Sequence, residues 1–158
     1  FYSLHLFIND ELKQHEEMLS TFPLARAEIW DTKHSDIERW KPQHAVDGQL
    51  ETGWQVPYVN KERPQTLEVD LGAEQTMNHL SIDTNFDEAW HDIEEARLEA
   101  MQGRQWKKVA DVRDAGRRYE LDFPEVQGRW FRLVISRCNM IHVHRFELSR
   151  KQAGDSAP

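Results

Sequence analysis

The sequence predicts an all-β fold, an antiparallel sandwich or jelly roll, with one short helix ahead of it. Three observations carry this. After Pro23 apolar and polar residues alternate in short runs, Gly, Pro and Asp separate those runs, and helical spacing fails over most of the stretch. The expected strands are Arg26 to Trp30, Thr66 to Leu71, Met77 to Asn85, Ala96 to Met101, Trp106 to Val112, Arg117 to Phe123, Arg129 to Ser136 and Ile141 to Leu148.

Taken in order, residues 1–22 read as a linker or docking segment of a larger protein. Phe1, Tyr2, Leu4, Leu6 and Phe7 are unusually apolar for a free terminus. Residues 8–20 then fit one short helix, capped by Asn9 or Asp10, with apolar positions at Ile8, Leu12, Met18 and Leu19. Residues 23–149 form the sandwich. Its most informative stretch is His44 to Trp54, a tight polar turn in which Asp47 bonds its own backbone and Gly48 is free to take positive φ. Trp54 anchors that turn to the core. Leu67, Val69 and Leu71 then alternate with Glu68 and Asp70 up to Gly72, the period of a half-buried strand. Phe86 to Glu95 leaves room for a helical turn, and residues 150–158 have the composition of a disordered tail or linker.

Composition narrows the partners. A net charge of −8 argues against nucleic acid, whose binders gather Lys and Arg on one face. The basic clusters at Arg104 to Lys108 and Arg117-Arg118 are flanked by acids and read as solvated strand edges. No apolar run approaches the roughly 18 residues of a membrane-spanning helix. Cys138 is the single cysteine, so no internal disulfide forms, and beside a Val- and Ile-rich strand it reads as a buried inert thiol. The compartment stays open.

Several segments in order carry a resemblance. Leu24-Ala25-Arg26-Ala27 looks like an entry strand, Ala45 to Trp54 like a turn ending in Trp, and Gln65 to Gly72 like a W-x-E-x-D-L-G strand with Thr66 in place of the aromatic. Arg104 to Val109 resembles a G-x-W-x-x-V strand, Arg129 to Leu133 an A-R-Y-V-R-L strand, and Arg145 to Leu148 a closing strand. Together they resemble the discoidin family, also called coagulation factor V/VIII C-type domains, with their galactose-binding-like fold and their family 32 carbohydrate-binding relatives. The resemblance runs from about Leu24 to Leu148. It implies a non-catalytic binding module.

In many bacterial members of that family, calcium sits at the Asp-Gly turn, held by backbone carbonyls, by the turn Asp and Thr, and by a Glu on the last strand. Ala45, Asp47, Gln49 and Thr52 supply the turn's share of such oxygen ligands. Arg145 aligns with the Glu. The expectation is that Arg145 replaces the ion and forks onto Asp47, while a one-residue slip bringing Glu147 to the turn would restore calcium. No other cofactor is implied.

Sugar-binding sandwiches use loops at one end, where an aromatic face meets sugar C–H groups and polar groups meet hydroxyls. Three loops supply candidates: His34, Arg39 and Trp40; Asn85, Trp90 and His91; and Asn139 beside Arg137. Trp90 in a polar loop either meets a partner or plugs the loop under Phe86, and Trp40 also fits a plain anchor. His142 and His144 alternate on the closing strand and share a face, without a third metal ligand at useful spacing. The acids Asp92, Glu94, Glu95 and Glu99 read as a solvated face rather than as glycosidase carboxylates.

Three readings remain. The first is a carbohydrate-binding module of a larger secreted protein. The second is a structural accessory domain of a bacterial flavin-dependent oxidoreductase, whose appended sandwiches Leu80 to Asp87 resembles, docked on its parent through residues 1–22. The third is a protein-recognition module.

Overall fold

The computed structural model describes residues 23–27, 40–56, 59–84, 92–138 and 141–152. The helix expected over residues 8–20 lies outside them. Among the described residues, seven strands follow one another: β1 (Leu24–Ala27), β2 (Trp54–Val56), β3 (Gln65–Thr84), β4 (Ile93–Gln102), β5 (Gln105–Ala115), β6 (Tyr119–Cys138) and β7 (Ile141–Ser149). Among the described residues, a 3-10 turn, Pro42–Ala45, precedes β2. Strands are ordered β2-β7-β3-β6-β4-β5, with β1 added on β3, and every pairing is antiparallel.

β3 and β6 each run for 20 residues, so two pairs of expected strands are in fact one strand each. The interruptions in the sequence are bulges, not turns. Pairing of β3 with β6 slips between Asp70 and Gln75 and again between Met77 and His79. At the first slip Gly72 takes φ 84°, its N–H donating to Asp70 Oδ1 at 2.8 Å. Arg129 clamps the same carboxylate through Nε at 2.7 Å and Nη2 at 3.1 Å. Pro124 falls in the second slip, between Asp122 opposite His79 and Val126 opposite Met77, so its missing N–H removes no ladder bond.

These bends let each long strand serve two layers. β1, the first half of β3, the second half of β6, β4 and β5 form one; β2, β7, the second half of β3 and the first half of β6 form the other. Leu67, Val69, Leu98, Phe131 and Leu133 from the first meet Leu80, Ile82, Val143 and Phe146 from the second in a single buried cluster. Their burial is the main drive for folding.

Trp54–Val56 is a strand that the sequence pattern did not mark. Ile93–Glu95 begins β4, and residues 86–91, the rest of the segment in which a helical turn was expected to fit, lie outside the described residues. The basic run on β5 is a solvated edge, with Lys108 pairing to Asp111 at 3.3 Å. Among the described residues, no helix is long and apolar enough to cross a membrane.

Candidate ligand site

One end of the sandwich gathers the C-terminal ends of β2, β3 and β6 and the N-terminal ends of β4 and β7. A backbone bridge brings the segment after β2 to this end: Val59 N–H donates to the Cys138 carbonyl at 3.2 Å, and Cys138 N–H to the Val59 carbonyl at 3.4 Å. The next residues turn tightly. Asn60 Oδ1 accepts the N–H groups of Glu62 and Arg63 at 3.0 and 3.1 Å, and its carbonyl accepts Arg63 N–H at 3.0 Å, presenting Lys61 and Glu62 at the tip.

Between this turn and the adjoining ends of β4 and β6 lies a cavity of about 520 Å³. Val59 to Glu62 form one wall, and Glu94 with Ser136 to Cys138 form the other. Arg137 Nε meets Glu94 Oε2 at 2.8 Å, both side chains more than a third exposed. Ser136 donates to the Glu95 carbonyl at 3.2 Å. The walls thus offer an ammonium, a guanidinium, carboxylates, an amide and a hydroxyl. Such a set hydrogen-bonds a small molecule rich in hydroxyl groups, in a volume of the usual size for a ligand site. Burial pushes the Cys138 thiol up to about 12, and the Glu94 charge adds to that against a weaker backbone hydrogen bond from Val59. It stays a thiol at neutral pH and serves as apolar packing.

Of the expected ligand residues, His34, Arg39, Asn85, Trp90, His91 and Asn139 lie outside the described residues. Thr84 and Cys138, which precede two of these segments, end their strands at this same end of the sandwich. Trp40 is placed on the outer side of β7. Its ring stacks on His142 with centroids 3.9 Å apart and planes 9° apart, while its carbonyl accepts Gln55 N–H at 3.0 Å. Lys61 and Glu62 were not singled out from sequence, and Arg137 entered only as the start of the third candidate loop. Asn60-Lys61-Glu62-Arg63-Pro64 carries a turn signal, but nothing local pairs it with Arg137.

The Asp47 turn forms as expected. Gln49 N–H donates to Asp47 Oδ1 at 2.9 Å, and the Thr52 hydroxyl to Asp47 Oδ2 at 2.5 Å. Ala45 is buried beneath it. Arg145, however, does not fork onto Asp47. Its Nε lies 3.2 Å from Asp83 Oδ2, though not aimed for a hydrogen bond, and its Nη2 lies 3.7 Å from Glu120 Oε1. The pairing of β3 with β7 slips between Asp83 opposite Arg145 and Thr84 opposite Val143, which carries Arg145 toward β3 and leaves His144 facing the turn. Glu147, opposite Ser81, is also away from it.

A second polar cluster was invisible in sequence. His79, buried on the outer face of β3, has Nδ1 2.6 Å from Asp122 Oδ1 and Nε2 2.6 Å from Glu120 Oε2, and Ser81 donates to that same Glu120 oxygen at 2.5 Å. Burial alone would raise the Glu120 carboxyl, but hydrogen bonds from Ser81 and His79 and the charges of His79 and Arg145 outweigh it and hold it below the usual glutamate range. Ser81 bonds a carboxylate and not the imidazole, so no serine–histidine nucleophile arises here. Among the described residues, no group of three or more His, Cys, Asp and Glu side chains could hold a metal ion.

The family model of the F5/8 type C domain matches residues 31–148. The chain belongs to the F5/8 type C family. No curated protein matches it. Among solved structures, this F5/8 type C domain is similar to the Clostridium perfringens module CpGH89CBM32-5 in complex with GalNAc-β-1,3-galactose, at 17% identity over 80% of this chain and 94% of that one, TM-score 0.64. It is similar to the family 32 module of C. perfringens NanJ in complex with galactose, at 14% identity over 80% and 92%, TM-score 0.64. A chitosan-binding module 2 in complex with chitotriose, from a Paenibacillus sp. IK-5 chitosanase/glucanase, gives 16% identity over 82% and 98%, TM-score 0.63. These likenesses establish the sandwich fold of the F5/8 type C domain.

Proposed function

We propose that this domain is a carbohydrate-binding module that holds its ligand at the loop end of the sandwich, with no chemistry of its own, and serves a larger multidomain protein. The polar cavity between the Asn60 turn and Arg137 is the observation that carries the reading. Its guanidinium, carboxylates and amide suit sugar hydroxyls, and it lies on a fold whose solved neighbours include modules in complex with galactose and chitotriose. The role of such a module is concentration: weak sugar affinity keeps an attached domain near its substrate.

A glycan array probed with this chain and with Arg137→Ala is the test. Charge-assisted hydrogen bonds contribute about 1.5–3 kcal/mol each, so the substitution should weaken binding at least about tenfold. Silence of the folded wild-type chain on every glycan would overturn the reading and favour a structural accessory domain. Binding that Arg137→Ala leaves unchanged would keep the sugar but move the site.

A further inference from the structure

The family resemblance implies a calcium ion at the Asp47 turn, and the structure permits a test of whether this chain's residues fit one. Three oxygens converge on the Thr52 hydroxyl: Asp47 Oδ2 at 2.5 Å, the Gln49 carbonyl at 3.1 Å and the His44 carbonyl at 3.4 Å. A hard dication takes six to eight oxygens, and its affinity follows the number of charged ligands. Of the turn's two carboxylates, Asp47 joins this cluster and Glu51 is exposed. The strand that should add a second brings Arg145, whose guanidinium lies against Asp83 and Glu120. The donor set therefore falls short of a calcium site.

What meets the turn instead is His144. Its Nδ1 lies 2.8 Å from the Thr52 carbonyl oxygen, and because a carbonyl only accepts, Nδ1 carries the proton and donates. The approach is close enough to dictate the sequence. A Cβ on Gly53 would lie 3.1 Å from His144 Nδ1, 3.2 Å from its Cε1 and 3.3 Å from the Val143 carbonyl oxygen, so glycine lets the imidazole pack onto the turn backbone. Aromatic neighbours fix the ring: Trp40 stands edge-on to it at 6.4 Å, and His142 edge-on at 6.2 Å. We infer that His144 ties the Asp47 turn to β7 in place of a bound cation, and that the stability of this domain is independent of calcium.

Thermal unfolding of the chain, in millimolar calcium and again in chelator, tests this with wild type, His144→Ala and His144→Asn. The wild-type midpoint should agree in the two conditions to within about 1 °C. His144→Ala should melt about 2–4 °C lower in both, the effect of about one hydrogen bond in a domain of this size. His144→Asn, which keeps an N–H donor of similar reach, should recover part of that loss. A midpoint that calcium raises by several degrees in the wild type would overturn the inference, as would His144→Ala melting with the wild type. Should His144→Ala fail to fold, the wild-type and His144→Asn arms decide alone. None of these readouts depends on whether the domain binds sugar.

Discussion

Phe131→Ala is expected to lower the free energy of unfolding by about 3–5 kcal/mol and the melting midpoint by on the order of 10 °C. Phe131 has no exposed surface and lies on β6 between Val69 of β3 and Ala100 of β4. Its ring reaches back over Gly128, where an added Cβ would sit 3.5 Å from Phe131 Cε1. With alanine on both β4 and β6, the packed surroundings relax only in part, so a cavity cost adds to the lost burial. Urea unfolding checks the value, with Leu50→Ala as control. Leu50 is 57% exposed, and its removal should stay within about 0.5 kcal/mol of wild type. A loss below about 1 kcal/mol for Phe131→Ala would mean that the two layers do not share one packed core.

Glu99→Ala is expected to destabilise the domain by about 2 kcal/mol at neutral pH, and by much less in acid. Glu99 is buried on the outer face of β4. It accepts Arg132 Nε at 2.5 Å and Arg97 Nε at 2.7 Å, and the Arg132 guanidinium lies 4.3 Å over the Trp106 ring. Removing the carboxylate leaves two guanidinium groups facing each other, and their partial exposure keeps the cost at the lower end for a broken ion pair. The pH dependence follows from the carboxyl itself. Burial alone would raise it, but the hydrogen bonds and charges of Arg97 and Arg132 outweigh burial and hold it below the ordinary value of 4.5. A carboxyl depressed by folding contributes stability above its unfolded value and loses it as pH falls through its folded value. Urea curves at pH 7 and near pH 3 should therefore diverge and converge respectively for wild type and Glu99→Ala. Equal separation at both would refute the ionic account.

Much of the fold was legible, for a plain reason: alternation has a period of two residues, and Leu67, Val69, Leu71, Phe131, Leu133 and Ile135 all point inward except at bulges. The continuity of β3 and β6 was not, because Gly72 and Pro124 look the same in a sequence whether they end a strand or occupy a bulge within it. The same ambiguity misled the reading of Arg145. Ile141 and Val143 face inward, yet so does Phe146, and that change of phase brings His144 to the Asp47 turn while Arg145 reaches Asp83. The Asp47 turn itself was readable because its hydrogen bonds are local. The cavity was not readable, since the contact of Val59 with Cys138 joins residues far apart in sequence, and that bridge is what sets Lys61 and Glu62 in the wall opposite Arg137.

The central claim is that the loop end of the sandwich binds carbohydrate. The most direct test is an amide chemical-shift map of the chain titrated with oligosaccharides containing galactose, N-acetylgalactosamine or glucosamine. The largest shifts should fall on residues 59–62, Glu94 and residues 136–138, with the outer faces of the sheets unmoved. Saturating shifts elsewhere on the sandwich, or none with any of these sugars, would contradict it.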